Sequence, residues 1–317
     1  MFKIWLEELL LDSVQTLFDG AAELIGPRAP IERLGECDAV LVSGGKWDGP
    51  RMDLAPKLRV VSRIGVGYEN IDVDAATERN IMVCYTPLAP SVSTAEHAIG
   101  LMFAVAKQIV YADRDMRAGN WHREFWTVKG MELRDRTLGL VGVGRIGANV
   151  ATVARAIGMQ VVCYDPYLSE KRATEIGVTP AADLESLLRQ SDVVSLHAPS
   201  TPETYKLMNA ERFAQLKSGS ILINTARGAL VDEAALIAAL ESGQLSGAGL
   251  DVFEVEPIPT NHPLLKFENV VVTDHIASHT WAGHHRLYET AARQALQALR
   301  GEMPDNVLNA TGLSLKN

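Results

Sequence analysis

Short apolar runs alternate with segments of helical periodicity along nearly the whole chain, the pattern of a parallel α/β sheet. Four runs in the first hundred residues read as strands: FKIWL (2–6), DAVLVSG (38–44), RVVSRIG (59–65) and IMVCY (81–85). A second series follows: TLGLVGV (137–143), QVVCY (160–164), DVVSLH (192–197), SILINTA (220–226), GAGLDVF (247–253) and NVVVTDH (269–275). Between the series, Ser93 and Glu96 form a capping-box pattern, and apolar residues at 98, 101, 102, 105, 109 and 112 keep helical spacing. Gly119 and Asn120 stop that pattern. It predicts one long helix from about Ala95 to Gly119, apolar on more than one face and so buried between domains or in a homodimer. The last helical stretch, WAGHHRLYETAARQALQALRG, has no strand after it and most simply returns to the first series. Two doubly wound domains follow from this order: residues 1–96 with 285–317, interrupted by residues 97–284.

Composition narrows the class. With 317 residues, 47% hydrophobic and 22% charged, the chain reads as globular and long enough for two cores. Lys and Arg number 30 and Asp and Glu 39, a net charge of −9. That balance argues against an extended nucleic-acid or anionic-membrane surface and leaves room for a local basic pocket for a small anion. Cys37, Cys84 and Cys163 are odd in number and far apart, which fits a reducing cytoplasm and no disulfide framework. The opening MFKIWLEELLLD places Glu7 and Glu8 where a signal peptide needs an apolar core, and no apolar run approaches membrane-spanning length.

LGLVGVGRIGANV holds Gly142-x-Gly144-x-x-Gly147 where a strand passes into a helix, and the next strand ends at Tyr164-Asp165. In that setting the glycines permit a tight turn, close approach of a pyrophosphate and close helix–strand packing. Backbone N–H groups around Arg145 and Ile146 would face the phosphates at the positive helix end. Asp165 would accept hydrogen bonds from the adenosine ribose and repel a 2′-phosphate. Pro166 and Tyr167 come next instead of an arginine, so NAD is favoured over NADP. A methyltransferase would share the ribose-binding acid, so the fingerprint alone does not establish hydride transfer.

The strands of the second series end in His197, Thr225 with Arg227, Asp251 and His275, polar groups that suggest a lined cleft at the carboxyl edge of the sheet. His275 is one of four histidines in VTDHIASHTWAGHH, with His279, His284 and His285. A strand ending at His275 does not share a helical face with His279, and acid or thiolate companions are missing, so no metal is expected.

From SRIGVGYENIDVDAA through the glycine unit, NTARGALVDEAAL, GLDVFEVEP and HPLLKFENVVVTDHIAS to NVLN, the chain resembles the D-isomer-specific 2-hydroxyacid dehydrogenases. The resemblance implies a Rossmann cofactor domain inserted in a discontinuous flavodoxin-like substrate domain. It further implies an NAD-dependent oxidoreductase that interconverts a D-2-hydroxy acid and its 2-oxo acid. Arg227 matches the arginine that grips the substrate carboxylate, a task suited to a guanidinium fork that never deprotonates. His275 matches the acid/base and Glu256 its partner, while Glu254 reads as a solvated neighbour. Asp251 resembles the residue that holds the nicotinamide carboxamide. The loop Ile64-Gly65-Val66-Gly67 resembles the substrate loop, with Val66 and Gly67 offering backbone N–H groups. Arg63 resembles an arginine of many phosphoglycerate dehydrogenases and tilts the reading toward a doubly anionic substrate, with glyoxylate or hydroxypyruvate reduction as the alternative. Dinucleotide-sensing corepressors share the trio and stay open as a second class; Glu256 argues against formate dehydrogenase. One departure is Asp274, where the family commonly has proline, and a carboxylate there is expected to raise the pKa of His275.

Overall fold

The computed structural model describes residues 1–121 and 130–313. Residues 122–129 and 314–317, which fall inside the two expected domains, lie outside the described residues. The chain divides into two compact units, Met1–Pro90 with His279–Asn317, and Ser91–Ser278. The joints fall at 90/91 and 278/279, beside the sequence-based 96/97 and 284/285.

The first unit is built on five parallel strands: β1 (Phe2–Leu6), β2 (Ala22–Ile25), β3 (Ala39–Val42), β4 (Val60–Arg63) and β5 (Met82–Cys84). Their order, β2-β1-β3-β4-β5, is the flavodoxin-like one. The final helix, Trp281–Leu299, does return to this unit and packs on β3, β4 and β5. Its buried face, including Leu287, Ala291, Ala295 and Leu299, recurs every three or four residues, and Ser62 ties β4 to it by donating to the Ala291 carbonyl at 2.9 Å. β2 carries no strong strand signal. AELI is an edge strand with a single fully buried residue, so little of it is apolar enough to stand out.

The second unit holds seven parallel strands: β6 (Thr137–Val141), β7 (Gln160–Tyr164), β8 (Thr179–Pro180), β9 (Val193–Leu196), β10 (Ser220–Asn224), β11 (Leu245–Leu250) and β12 (Val270–Val272). Their order is β12-β11-β10-β9-β6-β7-β8, so the winding reverses where β6 meets β9. Crevices at the carboxyl ends of strands flanking such a reversal bind ligands.

The long helix expected over 95–119 is two helices, Ser91–Ala106 and Ile109–Arg117, joined at Gln108 with a left-handed φ of 52°. The Met131 amide takes the Ala106 carbonyl at 2.7 Å, which helps close the first helix there. That helix is buried within its own unit, against β10, β11 and the helix Arg145–Ala156, so its two apolar faces need no second subunit. The shorter helix buries nothing and exposes Ile109, Val110 and Met116.

Candidate active site

The glycine fingerprint is a turn with no room in it. Gly142 has φ +88°, and a Cβ there would lie 2.9 Å from the backbone of His197 and Ala198; at Gly147 it would lie 2.5 Å from the Gly142 carbonyl oxygen. Gly144, between them, faces open space. It is the N-cap of the helix Arg145–Ala156, whose first-turn N–H groups lack intrahelical acceptors. Asp165, just past β7, braces the turn by accepting from the Val143 amide at 2.8 Å and the Tyr167 amide at 2.9 Å. A carboxylate has about four acceptor positions, so it can still receive a pair of hydroxyls. At the end of β9, His197 pairs with the Ser195 hydroxyl at 2.9 Å, and burial pushes its pKa down to about 4. Its ring is neutral at ordinary pH and can line a site but not carry a proton there. Thr225, at the end of β10, has a buried hydroxyl with no hydrogen-bond partner among the described residues. An open glycine edge, a positive helix end, a carboxylate and an orphaned hydroxyl at one sheet edge fit a dinucleotide.

Further along the same edge lie Arg227, Glu256 and His275. His275 Nδ1 is 2.7 Å from Glu256 Oε2, and Glu256 Oε1 accepts from the Phe253 amide at 2.9 Å. Both carboxylate oxygens are therefore occupied, which fixes the carboxylate plane. The Glu256 bond is the chief cause of a raised His275 pKa, working against partial burial, with added attraction from Glu256 and Asp251 and opposition from Arg227. Partial burial alone would raise the Glu256 pKa; the His275 ring and the Phe253 amide outweigh it, and the net direction is down. Asp251 is the second carboxylate acting on His275, while Asp274, next to it in sequence, is exposed. Arg227 Nη1 donates to its neighbour's carbonyl, Ala226, at 2.7 Å, and its charge reaches both Glu256 and His275.

The Arg227 and Glu256 loops are pressed together. A Cβ at Gly228 would sit 1.9 Å from the Phe253 carbonyl group, so only glycine lets the loops meet. Beside this contact Glu254 accepts from the Glu233 amide at 2.8 Å and Glu233 accepts from the Glu254 amide at 2.7 Å. Glu254 is exposed, the solvated neighbour its spacing suggested, and it is also a loop fastener; two residues 21 apart exchange bonds that no local pattern announces.

Asp251 lies beneath the site, its side chain fully buried. Its carboxylate holds the Thr273 hydroxyl and the Ile276 and Ala277 amides, and its carbonyl accepts from the His275 amide. His97, which the sequence did not single out, meets Thr273 from the helix Ser91–Ala106 at 2.9 Å. A lone histidine at helical spacing with Leu101 and Val105 was the available signal.

In the first unit, Arg63 donates to the carbonyls of Val42, Ile64 and Gly67 at 3.2, 2.6 and 2.8 Å, bracing the loop that holds Val66 and Gly67. The remaining histidines of the cluster sort themselves: the His279 and His284 rings meet edge to face at 4.6 Å, and His285 faces Glu289 at 3.4 Å. Among the described residues no three His, Cys, Asp or Glu groups come together as metal ligands. No described helix is long and apolar enough to cross a membrane.

Residues 99–277 match the family model described as D-isomer specific 2-hydroxyacid dehydrogenase, NAD binding domain. The chain is 44% identical over 273 residues to a glyoxylate reductase from Thermofilum pendens, covering 86% of this chain and 80% of that one. It is 41% identical over 280 residues to a D-3-phosphoglycerate dehydrogenase from Methanocaldococcus jannaschii, covering 88% of this chain but 53% of that longer one. Among solved structures, an NADPH-dependent glyoxylate/hydroxypyruvate reductase from Sinorhizobium meliloti, in complex with citrate, superposes with a TM-score of 0.88 at 31% identity over 99% of both chains.

Proposed function

The chain belongs to the D-isomer-specific 2-hydroxyacid dehydrogenase family, as an NAD-dependent oxidoreductase, and on that premise we propose that it reduces a small 2-oxo acid with one carboxylate, of the glyoxylate or hydroxypyruvate kind. The observation that carries the acid–base part is the His275–Glu256 pair at 2.7 Å. The bound nicotinamide supplies the hydride, or accepts it in the reverse direction. Gly142, Gly144, Gly147 and the N–H groups of Arg145 and Ile146 would hold its pyrophosphate, Asp165 the adenosine ribose, and His197 and Thr225 the flanking wall. Arg227 would pair with the substrate carboxylate through two parallel N–H bonds. Within the first unit, the Val66 and Gly67 amides would be the substrate-loop N–H groups. His275 would donate the Nε2 proton to the nascent alkoxide during reduction and take it back during oxidation. Glu256 accepts from Nδ1, so the ring presents Nε2 and the imidazolium is stabilised.

The substrate preference rests on Arg63. Three of its bonds go to carbonyls of its own unit, which supports a bracing role over capture of a second anion. Identity with the D-3-phosphoglycerate dehydrogenases favours the second reading, 3-phosphoglycerate oxidation. An NAD(H)-coupled rate panel over glyoxylate, hydroxypyruvate, 3-phosphoglycerate and D-lactate separates them: the proposal expects the first two to have the highest kcat/KM. A panel led by 3-phosphoglycerate would overturn the substrate assignment, and no turnover with any of them would support the non-catalytic corepressor class. A dimer is part of the same reading. Its support is the apolar side of the helix Ile109–Arg117, with Ile109 and Met116 more than half exposed, and Trp121 just beyond. Location in the cytoplasm is likewise proposed, on three buried free thiols.

A further inference from the structure

The Thr273 hydroxyl stands between two groups that each need something from it. Its oxygen lies 2.5 Å from Asp251 Oδ1 and 2.9 Å from His97 Nε2. An oxygen–oxygen contact that short needs a proton between the atoms, in the range of a hydroxyl bonded to a carboxylate. The Asp251 carboxylate, already receiving the Ile276 and Ala277 amides at 2.9 Å each, is acceptor-only, so Thr273 supplies the proton. A hydroxyl has one proton to give. The contact to His97 must then be made by a proton on Nε2. Direction runs one way: His97 Nε2–H to Thr273, Thr273 O–H to Asp251.

What this chain supports is the turn bearing His275. Asp251 alone receives three successive backbone amides, His275 on its carbonyl and Ile276 and Ala277 on its two carboxylate oxygens. His275 itself sits at φ 58°, a left-handed conformation that a residue with a Cβ holds only when its surroundings impose it. The orientation of the Asp251 carboxylate decides whether those amides find their acceptors. Thr273 and His97 set that orientation from two other elements, the end of β12 and the helix Ser91–Ala106.

We propose that His97 is a positioning residue for His275, acting through Thr273 and Asp251 as an obligatory Nε2–H donor. This rests on His275 being the proton carrier assigned above. The donor role, not bulk or charge, is what the position requires. Glutamine can supply an amide N–H near the same place, and leucine fills the space without one.

The tautomer is read first, in the unmodified protein, by ring-nitrogen NMR above the titration range of the histidines. The expected result is a single Nε2–H tautomer for His97, and an Nδ1–H or averaged ring would overturn the proposal whether or not the protein reduces any 2-oxo acid. Steady-state rates follow, with NADH and the best substrate of the panel. His97→Leu should lower kcat roughly tenfold, the scale of a sub-ångström misplacement of a reacting group. His97→Gln should recover most of that loss. Thr273→Val should match His97→Leu, and the double variant should be no worse than either, because one chain is cut twice. Full activity in His97→Leu, or glutamine no better than leucine, would show that His97 only fills space. Should His97→Leu fail to fold, the tautomer and the Thr273→Val rates still decide. Loss of activity in His275→Ala distinguishes the two claims, since its absence would sink the proposed proton carrier and leave the tautomer standing.

Discussion

Glu256→Gln tests the acid–base assignment with the smallest change in shape. The carboxylate has two occupied oxygens, one receiving the Phe253 amide at 2.9 Å and the other 2.7 Å from His275 Nδ1. An amide has one oxygen. If it keeps the Phe253 bond, its NH2 faces Nδ1 and forces that nitrogen to be an acceptor, which excludes the imidazolium. If it turns to His275, its NH2 meets the Phe253 N–H, donor against donor. A hydrogen bond to a charged group contributes about 1.5–3 kcal/mol. The His275 side chain is 53% exposed, so the lower end applies, roughly 1.5 kcal/mol or about tenfold in kcat for reduction near neutral pH. The pH dependence carries the sharper test. Reduction needs a protonated ring, so the rate is full at low pH and falls as pH rises through the His275 pKa, which Glu256 raises above its ordinary value. Removing the carboxylate lowers that pKa, and the falling limb should move to lower pH. NADH consumption followed across the pH range gives both quantities. A limb that stays in place while kcat falls would mean that Glu256 serves the loop and that another group carries the proton. His275→Ala, by contrast, should lose roughly 10²–10⁴-fold at every pH with NADH binding retained.

If Asp165 is the ribose-binding acid, its carboxylate would repel the 2′-phosphate of NADP, so NADH should be preferred by at least roughly tenfold, about 1.4 kcal/mol, in kcat/KM. Equal efficiency at subsaturating cofactor would refute this, and the NADPH-dependent relative makes the comparison worth running directly. Arg63→Ala removes the brace under the Val66–Gly67 loop and should weaken glyoxylate and 3-phosphoglycerate alike; selective loss of the doubly anionic substrate would instead give Arg63 a direct contact. Light scattering should find a particle of twice the 34.5 kDa chain, with Ile109→Glu shifting it toward monomer. A monomer at every concentration would refute the helix Ile109–Arg117 as an interface.

Much of this was legible in the sequence because it is local. Gly142 and Gly147 mark positions where a Cβ would strike backbone, and the apolar runs of β3, β6, β9 and β10 are buried strands wherever they are placed. Sequence alone also set Arg227, Glu256 and His275 apart, through family resemblance. Tertiary structure decided what depends on pairs distant in the chain. One such pair is Met131 and Ala106, whose bond helps close a helix that periodicity would have continued to Gly119. Glu254 and Glu233, read singly, are surface acids; exchanging amide bonds, they fasten two loops. Arg63, in the sequence context of a substrate residue, also donates to carbonyls of the loop that follows it. His97 and Thr273 stand 176 residues apart, and periodicity, which reports only which face of an element is apolar, cannot say which two faces will meet.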